Sequence, residues 1–424
     1  MYIYARLVTK RNFGGIIFLT VVWALLMFQV KVLRTDGISF VIAKQVSLGD
    51  VLLLHFRRLQ FSAVLAFRVL CLMVDVRNLL LFPDKHHSIT DRVVSYTRSY
   101  MVYGTNLRFK SELYMRFKLV QFIRLYMCSR LFIEVDTPII SSMPEAASSA
   151  PFVAFHKALK KQVYLRISPE LCLKRILVSG FDAIFEIGKS FRNESLSVRH
   201  YSEFTSFEFY KVGRNYFWGI AFLVDLLQFL CLKLAVLASA VAIQINYFCS
   251  AGFDYLSLPE VIVKYTEYSM QQVLSVSFMI SRLLKLGFNY DYFQMTLVQL
   301  WLLYFENYIQ RYVVYPTFVL YFPIQDSPLA RSRDLLTAER YELYVAGIEI
   351  ANGFTELNDA VEQQARLVEQ SVCTSKPLNT VFIDSLKFGM PSATGCGVGI
   401  DRLLMVIFSK SNIRDVIVFP EVRG

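Results

Sequence analysis

The sequence predicts an α+β protein, with a small β-barrel followed by a larger unit of strands and helices. Three observations carry that expectation. Residues 1–82 hold short runs of Val, Leu, Ile and Phe separated by the turn signals Gly14–Gly15, Asp36–Gly37 and Gly49–Asp50, a spacing that suits a barrel of short strands. Residues 184–210 read as two alternating strands around a charged loop. Residues 111–130 and most of 213–315 read as helices.

The chain has 424 residues, room for two or three domains. Hydrophobic residues make up 55% and the mean hydropathy is +0.42, which raises the question of a membrane. Ile16 to Phe28 is uncharged and largely apolar, but a spanning helix needs ~20 such residues. The segment Tyr216 to Phe253 is interrupted by Asp225 and Lys233 and later carries Gln244, Asn246 and Ser250. A buried helical packing is expected there, and no membrane. The net charge of +11 favours an acidic partner, with nucleic acid the natural candidate. Seven cysteines are scattered without CxxC spacing. A reduced cytoplasmic protein with no zinc site and no disulfide is expected, as is the absence of a secretory signal.

Taken in order, the barrel is followed by a polar connection, Pro83 to Asn106, which begins PDKHHSITDR. A helix over 111–130 leads into FIEVDTPII. Pro169 then places Glu170 at a helix start, where a carboxylate is favourable. The next element is the hairpin. Phe204, Ser206, Glu208 and Tyr210 share one strand face. Arg192, Glu194, Arg199 and His200 stand in the loop at its end. A ring, a carboxylate and a phenol in one row, with guanidiniums and an imidazole beside them, suit a ligand that has an aromatic base, a phosphate chain and an amine.

Residues 213–315 show nothing beyond a mostly helical packing unit, with a turn near Ser250–Ala251–Gly252. In Glu342 to Asp359, the residues Asn352, Phe354 and Glu356 share parity. Glu342 and Glu349 have opposite parity and converge only across a turn or bulge, for which Gly347 is the candidate. Two carboxylates near a triphosphate suggest Mg²⁺. Gly395, Gly397 and Gly399 alternate, so one face of that strand is bare backbone on which a flat ligand could lie. Asp401 stands near the start of the following helix, and Arg402 points at the ligand from the strand end. Two look-alikes fall away. Gly188–Lys189–Ser190 lacks the earlier glycine of a P-loop, since position 183 is Ala. Gly395 to Gly399 lacks dinucleotide spacing and has no room for a following βαβ unit.

The wording FRNE, VRH, EFT and EFY within residues 185–210, YLRISPELCLKR at 164–175, GFTELND at 353–359 and GVGIDR at 397–402 resembles the class II aminoacyl-tRNA synthetases, lysyl branch. FIEVDTPII is similar to their motif 1, the hairpin to motif 2 and GVGIDR to motif 3. The resemblance is close over 83–210 and 316–424, weak over 10–82 and only positional over 211–315. It implies an antiparallel sheet flanked by helices, with an N-terminal OB-fold barrel: anticodon-binding residues 1–82, a linker 83–110 and a catalytic domain 111–424 that contains the insertion 213–315. The N-terminal extension of many members is expected to be missing.

The implied activity is ATP-dependent activation of lysine to lysyl-adenylate and its transfer to the 3′ end of tRNA(Lys), by a homodimer. The implied ATP contacts are Arg192, Glu194, His200, Phe204 and Arg402, with Arg192 and Arg402 catalytic through charge stabilisation. The implied lysine contacts are Glu170 and Glu208 for the α-ammonium, Glu356 with Tyr210 for the ε-ammonium, and Asn352 and Phe354 along the pocket. Glu342 and Glu349 are the implied Mg²⁺ ligands, and Phe18 and Gln29 the implied anticodon readers. The chain departs from the family at Tyr201, where Asn is usual, at Ala150, where Arg is usual, and at Glu145–Ala146, where a Gly pair is usual. An aspartyl or asparaginyl enzyme and a lysine ligase acting on a protein remain alternatives.

Overall fold

The computed structural model describes residues 2–58, 66–80, 82, 91–144, 149–237, 252–374 and 378–421. The PDKHHSITDR connection, the Glu145–Ala146 departure and the Ser250–Ala251 turn lie mostly or wholly outside these. The chain divides into two compact units, Met1–Met115 with Ile417–Gly424, and Arg116–Val416.

The first unit contains a closed barrel of five strands in the order β1-β2-β3-β5-β4. The strands are β1 (Tyr2–Asn12), β2 (Ile16–Trp23), β3 (Leu26–Leu33), β4 (Val51–Arg58) and β5 (Ala66–Val76). Alternation builds it: Ile17, Leu19 and Val21 point inward and are fully buried, together with Val30, Val32, Leu52 and Leu54. A helix, Ile38–Gln45, follows β3. The strand-rich sequence had not suggested it. Its Phe40 and Ala43 join the same core.

The second unit carries a sheet of eight strands in the order β12-β13-β14-β15-β16-β11-β10-β6, and a small sheet in the order β7-β9-β8. In chain order these are β6 (Ile133–Glu134), β7 (Ile140–Ser141), β8 (Val153–His156), β9 (Lys161–Leu165), β10 (Ala183–Phe191), β11 (Glu203–Val212), β12 (Asp254–Ser257), β13 (Thr317–Leu320), β14 (Arg340–Val345), β15 (Ile348–Thr355) and β16 (Ala393–Gly399). The interior of the large sheet is antiparallel, and β6 and β12 join parallel at its two edges. Strand β12 is a short extended piece within the expected mostly helical insertion.

Phe185, Phe207 and Phe209 are wholly buried on one face of the sheet. Phe209 packs on Phe222 of the helix Tyr216–Leu237, ring centroids 5.0 Å apart. That helix is long and apolar enough to cross a membrane by length and composition. Here one stripe of it, including Leu223, Leu226, Leu230 and Leu234, is buried in the protein. Its Cys231 is disulfide-bonded, which corrects the expectation that no cysteine is bridged; Cys71, Cys128 and Cys396, among the described residues, are free thiols. The insertion's short helices gather around Trp301, Tyr304 and Phe305. One of them, Leu258–Lys264, starts with a capping box in which Glu260 accepts from the Ser257 backbone N–H at 2.7 Å.

Candidate active site

The opposite face of the large sheet forms a pocket. Its wall takes in Glu170, Arg192, Glu194, His200, Tyr201, Phe204, Ser206, Glu208, Tyr210, Glu349, Asn352, Phe354 and Arg402. The register explains why. Antiparallel pairing sets Ser206 opposite Gly399, Glu208 opposite Gly397 and Tyr210 opposite Gly395. On the far side of β16, Asn352 faces Gly397 and Phe354 faces Gly395. The bare glycine strand therefore runs as a floor between two rows of functional side chains. At Gly395 the absence of a side chain has a second cause: a Cβ would collide with Glu356 and the Tyr210 ring, whereas at Gly397 and Gly399 it would meet only ordinary contacts.

The phosphate-binding candidates cluster at one end. The Arg192 guanidinium stacks on Phe204, 5.1 Å from the ring centroid, and its Nε has no hydrogen-bond partner among the described residues. The Asn193 N–H donates to the Ala150 carbonyl at 2.8 Å, so the Ala150 departure borders this loop through its backbone. His200 shares a 2.8 Å hydrogen bond with the Ser197 hydroxyl. Burial, then the Arg402 charge, hold its imidazole below the usual histidine value. Arg402 Nη1 donates to Glu349 Oε2 at 2.8 Å. Asp401 does not cap its helix, whose cap position is Gly399. It accepts instead from Arg116 Nη1 at 2.6 Å and from the Thr205 N–H at 2.7 Å, which ties the helix Ile400–Ile407 to β11.

The two candidate metal ligands stand differently. Ala346 and Gly347 both have positive φ, 52° and 70°, forming a two-residue hairpin turn. The register shifts between Leu343 and Tyr344, so a turn and an irregularity do separate the two carboxylates. Glu349 is on the pocket wall and Glu342 is not. Glu342 accepts from Arg340 Nη2 at 2.5 Å and from the Tyr344 hydroxyl. Burial raises its pKa despite the Arg340 charge. No cluster of three or more metal-ligating side chains exists among the described residues. Glu349 on the wall, with Glu342 near enough for its charge to be felt, fits an ion that needs only one or two carboxylates and takes its other oxygens from phosphates and water.

Among the implied lysine contacts, Tyr210 donates to Glu208 at 3.1 Å, and burial holds the phenol well above its ordinary pKa. Glu356 is fully buried and is not on the pocket wall. Its Oε2 lies 2.5 Å from the Lys174 ammonium, which also reaches Glu170 at 2.9 Å. Lys174 went unnoticed in the sequence. Its i,i+4 spacing from Glu170 was the available signal.

In the barrel, Phe18 points outward from β2, half-buried, and meets Phe13 edge-on at 5.9 Å. The register places it between Arg11 and Lys31, and Lys31 beside Arg68. Gln29 is also half-buried and lies on the same outer face.

Residues 91–423 match the family model described as tRNA synthetases class II (D, K and N). The chain is similar to the lysine–tRNA ligase of Methylobacillus flagellatus, 34% identical over 99% of this chain and 85% of that one. It is 35% identical to that of Variovorax paradoxus, over 99% of this chain and 83% of the relative. With the ligase of Bordetella parapertussis it shares 39% identity over 80% of this chain and 70% of the relative.

Proposed function

This chain belongs to the class II tRNA synthetases (D, K and N) and acts as a lysine–tRNA ligase, and we propose how its residues divide that work. The carrying observation is the two-sided pocket: one row of side chains from β11, one from β15, and the glycine floor of β16 between them.

Adenine stacks on Phe204, and Glu194 accepts its exocyclic amine. The triphosphate runs past Arg192 toward His200 and Arg402. Lysine enters beside Glu170 and Glu208, with its aliphatic stem along Phe354 and its distal ammonium toward Tyr210 and Glu356. The lysine carboxylate, already a nucleophile, attacks the α-phosphate, the bond to pyrophosphate breaks, and lysyl-adenylate forms. No general base is needed. The chain contributes positioning and charge stabilisation, with Arg192 across the α-phosphate and the substrate carboxylate. Glu342 and Glu349 would hold Mg²⁺, which supplies positive charge to the phosphates when bound. In the second step the tRNA 3′-terminal hydroxyl takes the lysyl group and AMP leaves.

The barrel, residues 1–82, binds the anticodon. The outward ring of Phe18 between Arg11 and Lys31 and the nearby Gln29 amide support this, because single-stranded bases are held by stacking and cations. The enzyme is a cytoplasmic homodimer. A charging assay with tRNA(Lys) tests the reading: lysine esterified to the 3′ end in the presence of ATP supports it, and no esterification defeats it.

A further inference from the structure

Lys174 is a fully buried lysine beside the amino-acid subsite. It sits on the helix Glu170–Val178. Its Nζ lies 2.9 Å from Glu170 Oε1, 2.5 Å from Glu356 Oε2 and 5.2 Å from the centroid of the Phe354 ring. All three partners are groups that the proposed function assigns to the substrate. The titratable groups gathered here are Glu170 on the same helix, Glu208 and Tyr210 from β11, Tyr341 from β14 and Glu356 just past β15.

A charge count follows. With Glu356 ionised, Glu170, Glu208 and Glu356 bring three negative charges and Lys174 one positive, which leaves two to be met. Free lysine brings two ammonium groups, and its carboxylate faces Arg192. We propose that Lys174 is a fixed cation of this subsite: it bridges Glu170 and Glu356, aims both carboxylates, and leaves the charge deficit that a diammonium substrate fills. It is a positioning residue for specificity and stays in place when lysine binds. The inference rests on the lysine-activating reading given above.

The electrostatics agree with this geometry. Burial pushes the Glu356 carboxyl up to about 8, with the Lys174 charge holding it down from a higher value. Burial presses the Lys174 ammonium down, and Glu170 and Glu356 more than offset that, so its pKa is raised. Lysine binding therefore tightens as pH rises toward 8 and Glu356 ionises. Without Lys174, Glu356 ionises only at higher pH.

The experiment is the pH dependence of the lysine KM in ATP–pyrophosphate exchange, for wild type, Lys174→Met and Lys174→Arg. Lys174→Met is expected to raise the lysine KM at pH 7 by ~10-fold or more, leave the ATP KM within about twofold and move the limb near pH 8 alkaline by about one unit or more. Lys174→Arg keeps the charge and is expected to leave the limb unmoved. A methionine variant that binds lysine as well as wild type, or more tightly, shows that Lys174 is only a core filler or a competitor, and overturns the proposal. If the methionine variant does not fold, the arginine variant decides: an unmoved limb supports the proposal, and a limb shifted as far as one unit overturns it. A wild type that exchanges with another amino acid and not with lysine overturns the underlying reading, and this inference with it.

Discussion

Arg402 and Glu349 are bonded to each other, guanidinium Nη1 to carboxylate Oε2 at 2.8 Å. One is the proposed γ-phosphate contact and the other a proposed Mg²⁺ ligand, so each neutralises the other before ATP arrives. Binding the nucleotide with its metal exchanges this pair for two new ones, Arg402 to phosphate and Glu349 to the cation. Arg402→Ala is expected to raise the ATP KM by ~10-fold or more, since charge-assisted guanidinium–phosphate bonds are among the stronger contacts. Thermal unfolding should be little changed, because Arg402 is partly exposed. Unaltered exchange kinetics would remove Arg402 from the site.

Glu356→Gln is expected to lower lysine activation by ~10²-fold or more, while ATP binds as in wild type. A site built to pair a substrate group discriminates strongly when that pairing is lost. Isothermal titration with ATP and with lysine separates the two effects. Lysine bound normally by the variant would place the ε-ammonium contact elsewhere.

Phe18→Ala is expected to weaken tRNA charging and leave adenylate formation intact, with a melting temperature close to wild type. The ring is on the outer barrel face and the core is built by its neighbours Ile17 and Leu19. Affinity for tRNA should fall steeply with added salt, since phosphate contacts release counterions. A parallel loss of charging, adenylate formation and melting temperature would mean that the ring matters for the barrel alone.

The segment after the helix Leu107–Ser129 exposes Leu131, Ile133, Ile139 and Ile140. Four exposed large apolar side chains within ten residues suit an interaction face. This stretch resembles motif 1, and a second copy of the chain is its expected cover. Sedimentation at micromolar concentration should give a dimer, and Ile140→Lys should shift it toward monomer. A wild type that sediments as a monomer would contradict the dimer.

The central hairpin was legible because β10 and β11 alternate plainly and the loop between them is charged. The glycine floor was legible because three glycines at period two leave no other face to fill. Phe18 was not assignable to a face, since IIFLTVVW is apolar on both sides of the strand. A turn or bulge at Gly347 was anticipated as what would let Glu342 and Glu349 converge. Its consequence, one carboxylate on the wall and the other held by Arg340 and Tyr344, needed the fold. Lys174 was missed despite its i,i+4 spacing from Glu170, because its other partner Glu356 lies 182 positions away in sequence and a lysine followed by arginine on a helix reads as solvated. The helix Ile38–Gln45, ISFVIAKQ, is rich in β-branched and apolar residues, which hid it among strands.

ATP–pyrophosphate exchange measured with lysine, norleucine, aspartate and asparagine tests the central claim most directly. Norleucine keeps the stem of lysine and loses the ε-ammonium, so it isolates the charge that Glu356 and Tyr210 are proposed to read. The account predicts exchange with lysine, and ~10⁴-fold or greater discrimination against norleucine, as expected for a site that loses a buried polar partner. Preference for aspartate or asparagine, or norleucine accepted nearly as well as lysine, would contradict it.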